Sequence, residues 1–374
     1  MRFFRRTALA LILGLAAASH AEPYSPEVEA MLRPLPEKAV MMGNLVMTVD
    51  EAAQNAAQEC MAELMQRDEH IVWSCCIVMN AATGQLLALV KESREEVAYD
   101  LAFSPVIMPG ATFRVLGTAA ALDKGLLTLD SKVEATPFTL EDEADLCEFT
   151  APAGAPAALS VREALLSDNA PAAARIALTC GPALYQQALD SFGLTKATGI
   201  GIQGDSACDL EDLTDAAENG SPVLAAMGAG QEYVRASLLQ LASVYATLAN
   251  GGERITPRII KGLRLNDGVR MLPTLPAEHR RVVSEETAEK ILSVIAPRDA
   301  WGSPALATVS KDTAENAEEA RSIVCVICTD VRRTPLVFAY AYCTEPAEKP
   351  NLHTLYYLIE CIQPMSFEPL PETK

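Results

Sequence analysis

The sequence predicts an α+β fold in which a central antiparallel sheet is flanked by helices. Strand-like apolar segments occur near both ends of the 374-residue chain, at 70–79 and 85–90 and again at 322–329 and 336–342. Ala-rich, helix-like segments lie between these two groups. Because helices separate the two groups, the strands of one sheet must come together from distant parts of the chain.

The composition excludes several classes of protein. Half of the residues are apolar and 21% are charged, which excludes a disordered chain. The formal net charge of -19 argues against nucleic-acid binding and against strong membrane binding through electrostatic docking to anionic lipid, since both need clustered Lys and Arg. The four histidines are scattered without the spacing of metal ligands, so we expect neither a metal nor another cofactor.

The first 21 residues have the order of a secretory signal. Arginines precede an apolar run at 8–18, and small residues at 19–21 provide a cleavage site. The run is shorter than the span of about 20 residues that crosses a bilayer, although an uncleaved membrane anchor is the alternative interpretation. We expect an exported protein, periplasmic or extracellular, with a signal peptide at 1–21, a Pro-rich lead-in at 22–44 and one domain at 45–374.

The first half of this domain contains clear start and stop signals. A capping-box pattern at 48–51 predicts a helix that runs to Met65. Turn residues at 80–84 join the first two strands into a hairpin. A helix at 112–122 is expected to end at Gly125.

The second half is mostly helical until the last strands. Acidic and small residues at 135–156 are typical of a loop. Apolar periodicity predicts helices at 161–166, 171–177, 182–191, 237–249 and 352–362.

The ten cysteines suit a buried sheet better than a redox site. Adjacent Cys75 and Cys76 are expected to point to opposite faces of one strand. The C-x-x-C of Cys325 and Cys328 lies inside a strand-like segment, whereas a redox pair usually opens a helix. Three others lie in loop or helix-end sequence and are the better disulfide partners, with no pairing deducible: Cys147, Cys180 and Cys208.

Several short strings follow one another in order along residues 45–365. They are Thr48-Val49-Asp50 with Gln54, the turn string at 79–88, Pro109-Gly110-Ala111-Thr112-Phe113-Arg114, Ser167-Asp168-Asn169, Gly228-Ala229-Gly230-Gln231, the segments 240–242 and 249–252, and Lys311-Asp312-Thr313-Ala314. The ordered set resembles the transpeptidase domain of penicillin-binding proteins. The resemblance implies a β-lactamase/transpeptidase-like α+β fold with an all-helical subdomain, and a role in peptidoglycan and cell-wall assembly.

The string at 109–114 resembles the P-G-S-T-F-K motif of this family. In active members the Ser hydroxyl attacks a peptide carbonyl, and the Lys one helical turn later takes its proton. Here Ala111 stands at the Ser position and Arg114 at the Lys position. A methyl group has no lone pair, and an arginine stays protonated at neutral pH, so we expect a catalytically silent homologue. Thr112 has a hydroxyl, although it lies about 100° around the helix from position 111.

Ser167 and Asn169 keep the polar residues of the family's S-x-N motif. The resemblance implies that they pass a proton and hydrogen-bond a substrate amide. Directly before Ala170 and Pro171, the same residues are also typical of a helix N-cap. The two interpretations are compatible.

Lys311 stands where the family's K-T-G motif is expected, and its charge suits a substrate carboxylate. Asp312 or Thr313, depending on the alignment, replaces the Gly that lets the strand approach the acyl group. A side chain there would crowd a substrate, and Asp312 would repel its carboxylate. A solvated strand end is the alternative interpretation. Three glycines mark either tight turns beside the site or ordinary turns: Gly110, Gly228 and Gly230.

These residues lead to three hypotheses. In the first, a silent homologue binds or regulates cell-wall synthesis proteins. In the second, an active acyl-transferase or hydrolase uses another nucleophile, Thr112 or Ser167. In the third, the groove senses a peptidoglycan stem peptide, another muropeptide or a β-lactam without a covalent bond. An open cleft favours ligand binding, whereas a cleft filled by Arg114 or Asp312 favours a purely structural role. The sequence leaves open whether Arg114 pairs with an acid, for example Asp168.

Overall fold

The computed structural model describes residues 43–97, 100–142, 146–202, 204–211, 213, 221–231, 233–265, 271–273, 278–295, 306–311, 321–329, 335–344 and 362. The predicted signal peptide and most of the Pro-rich lead-in lie outside these residues. So does the helix predicted at 352–362, except for Ile362, which is helical and buried.

Elements are labelled in chain order. The helices are Glu51–Arg67 (α1), Val115–Asp123 (α2), Val161–Leu166 (α3), Ala170–Phe192 (α4), Pro222–Ala229 (α5), Leu238–Ala249 (α6) and Glu285–Ile295 (α7). A short 3₁₀ turn, Gly110–Phe113, precedes α2. The strands are Gly43–Met47 (β1), Ile71–Asn80 (β2), Leu86–Ser93 (β3), Lys132–Glu134 (β4), Phe138–Glu141 (β5), Leu146–Phe149 (β6), Ala158–Ser160 (β7), Asp209–Leu210 (β8), Val234–Arg235 (β9), Glu253–Ile255 (β10), Ile260–Leu265 (β11), Met271–Pro273 (β12), His279–Arg281 (β13), Leu306–Lys311 (β14), Arg321–Thr329 (β15) and Leu336–Thr344 (β16).

A five-stranded antiparallel sheet forms the centre of the fold, in the order β14-β15-β16-β2-β3. It joins strands from both ends of the chain, as the sequence predicts. Helix α1 packs on one face, where Cys76 lies in its apolar cluster. Helix α6 packs on the other face, where Cys75 belongs to the larger core. The two adjacent cysteines therefore point to opposite faces, which confirms that prediction.

The N-terminus of α1 differs from the predicted capping box. The N-cap is Asp50, whose Oδ1 accepts hydrogen bonds of 3.0 Å from the N–H groups of Ala52 and Ala53. The Thr48 hydroxyl instead donates to the carbonyl of Leu86 at 2.7 Å. The Thr48 side chain, which the local pattern assigned to the N-cap, therefore forms a tertiary hydrogen bond instead.

The segment predicted as a loop contains a β-hairpin, so that prediction is wrong in part. Strands β5 and β6 pair with Phe138 opposite Phe149, and the two rings stack 4.7 Å apart. The guanidinium of Arg175 lies 3.9 Å from the Phe138 ring. The acids that suggested a loop, Glu141 and Glu148, point outward from this hairpin and are exposed.

The helices predicted before residue 250 are confirmed, whereas the one predicted at 352–362 stays a prediction; two further helices of the described residues were missed. Helix α4 unites the two segments predicted at 171–177 and 182–191, with Gly181 non-helical between them. Helix α6 begins with a capping box of Ser237 and Gln240. The missed helices are α5 and α7; Ser221 as N-cap followed by Pro222 was a usable signal for α5.

Two of the three proposed disulfide partners have free thiols. Cys180 donates a hydrogen bond to the carbonyl of Gly117 at 3.4 Å, and Cys208 is buried as a thiol. The expectation of disulfides is wrong for this pair of residues. Within the described ranges no helix has the length and apolar character to cross a membrane. The same ranges contain no group of His, Cys, Asp and Glu that could hold a metal ion.

Candidate active-site groove

The 3₁₀ turn that precedes α2 carries the proposed nucleophile position. All four of its residues are buried, and Ala111 is 4% exposed. The N–H of Gly110 donates to the carbonyl of Gly230 at 2.8 Å, which ties the turn to the end of α5. The nucleophile position therefore holds a methyl group that solvent scarcely reaches.

Gly230 allows this close approach between two backbones. It ends α5 with a φ of +75°, and a Cβ atom at this position would lie 1.9 Å from the carbonyl oxygen of Gly110. The tight-turn interpretation therefore holds for Gly230 and for Gly110, whose φ is +54°. It does not hold for Gly228, which is helical; a Cβ there would lie 2.1 Å from the Cβ of Ala177, so this glycine allows α4 and α5 to pack closely.

Arg114, at the proposed base position, is fully engaged with its surroundings. Three of its nitrogens each donate one hydrogen bond of 3.1 Å: Nε to the carbonyl of Ala229, Nη1 to the carbonyl of Ser167 and Nη2 to Oδ1 of Asp168. The side chain is 6% exposed, whereas that of Asp168 is 84% exposed. Burial lowers the pKa of Arg114 from its usual value, and the Asp168 carboxylate opposes this shift. The ion pair between Arg114 and Asp168 that the sequence left open is therefore present.

Thr112 is held within the packing of the turn. It is fully buried, and its hydroxyl donates to the carbonyl of Pro109 at 2.5 Å. Its own carbonyl accepts a hydrogen bond from the Tyr245 hydroxyl at 3.0 Å. These contacts make Thr112 part of the packing beneath the turn.

Ser167 and Asn169 both serve helix ends. Ser167 ends α3, and its hydroxyl donates to the carbonyl of Ala164 at 3.3 Å. Asn169 is the N-cap of α4: its Oδ1 accepts from the N–H of Ala172 at 2.8 Å, and its Nδ2 donates to the carbonyl of Ala135 at 3.2 Å. Asn169 is 1% exposed, so its amide serves the fold. The capping interpretation of this motif is confirmed for Asn169.

Lys311 is the last residue of β14, opposite Arg321 in β15. Strand β14 is an edge of the sheet as described, and its backbone lies against the 3₁₀ turn. The structure thus brings this strand together with the segments of Ala111, Ser167 and Gly230. Asp312, Thr313 and the side chain of Lys311 lie outside the described residues.

Residues 74–299, more than half of the chain, match the family described as "Penicillin binding protein transpeptidase domain". This chain belongs to the penicillin-binding protein transpeptidase family. It is similar to penicillin-binding protein PbpB of Mycobacterium tuberculosis, with 27% identity over 288 residues that cover 71% of this chain and 40% of PbpB. It is also similar to the peptidoglycan D,D-transpeptidase PbpA of Mycolicibacterium smegmatis, with 28% identity over 281 residues, 73% of this chain and 54% of PbpA. The chain spans about half or less of the length of these relatives.

Solved structures confirm the penicillin-binding-protein transpeptidase fold. The crystal structure of PBPA from Mycobacterium tuberculosis has a TM-score of 0.73 and 19% identity, covering 95% of this chain and 91% of that one. The acyl-enzyme complex of penicillin-binding protein A from M. tuberculosis with penicillin G has a TM-score of 0.71 and 20% identity, covering 86% of this chain and 81% of that one. The predicted fold class, α+β with a central antiparallel sheet, is therefore confirmed for this transpeptidase-family chain.

Sequence reasoning missed part of this groove. It did not identify the carbonyl of Ala229 as an acceptor for Arg114, because the two residues are far apart in the chain and a backbone acceptor leaves no signal in residue type. It also missed the β5–β6 hairpin, which packs against α4 and α5 through Cys147 and Phe149. The alternation of Phe138 and Leu140 with polar residues was the signal available for this hairpin.

Proposed function

We propose that the protein is a catalytically silent member of this family that acts in peptidoglycan assembly by binding or regulation. One observation carries the proposal: the residue at the nucleophile position, Ala111, has no atom that could attack a carbonyl. The D,D-transpeptidase name of its relative PbpA indicates the peptidoglycan context.

The base position supports the same conclusion. A nucleophilic hydroxyl needs a neighbouring group that accepts its proton. The guanidinium of Arg114 is a donor only, and three of its nitrogens already donate to Ala229, Ser167 and Asp168.

The second candidate function is an acyl-transferase or hydrolase that uses another hydroxyl. The geometry disfavours both hydroxyls. Thr112 is fully buried and bonded to Pro109, and Ser167 neighbours an arginine that cannot take its proton. Turnover of a D-Ala-D-Ala ester, lost in Thr112→Val or Ser167→Ala, would favour this function over the first.

Location and partners follow from the sequence and belong to the proposal. The N-terminal signal pattern supports export to the periplasm or the cell exterior, where peptidoglycan is assembled. Cell-wall synthesis proteins are the proposed partners. A stem peptide or a β-lactam is the proposed non-covalent ligand.

Labelling with a fluorescent penicillin tests the silence directly. We expect no adduct that survives denaturing electrophoresis, because no acyl-enzyme forms without the Ser hydroxyl. The PbpA relative from M. smegmatis serves as the labelled reference under the same conditions. A covalent adduct on this protein, lost on thermal unfolding before labelling, would end the proposal.

A further inference from the structure

The guanidinium of Arg114 joins three segments that meet beside the 3₁₀ turn. Its acceptors are the last residue of α5 (Ala229), the residue that ends α3 (Ser167) and the loop before α4 (Asp168). The planar fork of an arginine can reach three separate acceptors, whereas the single ammonium of a lysine is a compact point charge. Position 114 therefore holds the α3–α4 connection against the end of α5 in a way that the family's lysine could not.

Burial and charge favour this arrangement. The Arg114 side chain is 6% exposed, and withdrawing it would leave the carbonyls of Ala229 and Ser167 without this donor. Ala229 lies at the C-terminus of α5, where the aligned carbonyls attract a cation. Asp168 is different, because 84% of its side chain is in solvent. It is the end of the network that a molecule arriving from outside can reach.

We propose that Arg114 is a latch that holds the α3–α4 connection against the end of α5 beside Ala111, and that Asp168 is the residue at which a carboxylate-bearing ligand releases it. A ligand carboxylate would replace the Asp168 carboxylate on Nη2 and let the α3–α4 connection move away from α5. This inference rests on the proposed binding function of the same groove. Stem peptides and β-lactams both carry a carboxylate, and this carboxylate is the ligand group expected to contact Arg114 first.

Amide hydrogen exchange of the full chain tests the latch without any ligand. The reporters are the N–H of Ser167, bonded to Glu163, and the N–H of Ala172, bonded to Asn169. Arg114→Lys removes the fork, and we expect exchange at both sites to become about tenfold faster. Asp168→Asn removes only the exposed partner, so we expect a change of about two- to fivefold. Unchanged exchange in both variants would overturn the latch.

Glu141→Gln is the matched control for charge. Glu141 is an exposed acid on the β5–β6 hairpin, which packs against the N-terminus of α4. The substitution Glu141→Gln removes one negative charge, as Asp168→Asn does, and leaves the Arg114 contacts in place. We expect its exchange to match the wild type, and equal acceleration in this control and in Asp168→Asn would overturn the role of Asp168. If Arg114→Lys fails to fold, Asp168→Asn still tests the latch, because the Asp168 side chain is exposed and its replacement should leave the fold intact.

Equilibrium binding of fluorescent penicillin then separates the latch from the proposed function. We expect a lower Kd for Asp168→Asn than for the wild type and for Glu141→Gln. The Kd should fall by the same factor by which the exchange rate rises. An equal Kd for all three proteins would overturn the latch. Faster exchange without binding by any variant would support the latch and contradict the proposed binding of β-lactams.

Discussion

At the residue scale, two side chains decide what this groove does. Ala111→Ser would place a hydroxyl at the nucleophile position, but the residue there is 4% exposed and its neighbour Arg114 cannot accept a proton. We therefore expect no penicillin labelling of Ala111→Ser in a denaturing gel. If the missing hydroxyl were the only defect of the site, this single change would restore acylation, and the variant would be labelled.

The double variant Ala111→Ser with Arg114→Lys is the control for this prediction. It supplies both the hydroxyl and a base that loses its proton more easily than arginine. Labelling of the double variant alone would show that Arg114 blocks the chemistry. Labelling of Ala111→Ser by itself would show that Arg114 does not prevent acylation.

At the scale of elements, one glutamine protects an edge of the central sheet. Gln54 of α1 accepts a hydrogen bond from the N–H of Leu89 and donates one to its carbonyl, both at 2.9 Å. Its amide thus takes the place of a neighbouring strand on β3. We expect Gln54→Ala to lower the free energy of unfolding by about 1–2 kcal/mol, measured by urea denaturation.

Gln58→Ala is the matched control, since Gln58 is an exposed glutamine one turn along the same helix. It makes the same change in helix propensity without touching β3. We expect the free energy of unfolding to be almost unchanged by this substitution. Equal destabilisation by both substitutions would show that the amide of Gln54 adds nothing to the sheet.

The same elements show how far the sequence predicts this structure. A continuous apolar run predicts β2, and apolar periodicity predicts α3 and α6, because both signals are local. The cap of α1 is different: Thr48 and Asp50 are both good cap residues, and only the tertiary bond from Thr48 to Leu86 decides between them. In the groove, the cap role of Asn169 was readable from the Pro that follows. The acceptors of Arg114 depend on how α3 and α5 meet, which no local pattern encodes.

At the scale of the whole molecule, the core keeps its thiols protonated. Burial raises the pKa of the Cys75, Cys76 and Cys208 thiols well above the usual range, and raises the pKa of Cys180 to about 12. Unfolding returns each thiol to a pKa of about 8.5. The folded chain therefore binds more protons above that pH. The free energy of unfolding is unaffected by these thiols below about pH 8.5 and falls as the pH rises further, by at most about 1.4 kcal/mol per pH unit for each thiol.

Cys180→Ser isolates one contribution to this alkaline loss. The serine keeps a donor for the carbonyl of Gly117 but does not titrate in this range, so the slope of unfolding free energy between pH 9 and 10 is expected to be shallower than in the wild type. Urea denaturation at each pH measures it, and a thiol reagent at pH 8 gives an independent check. Since thiolates are the reactive form, these four thiols are expected to react only after unfolding. Rapid reaction of Cys76 or Cys208 in the native protein would show that the core opens to solvent far more readily than its packing indicates.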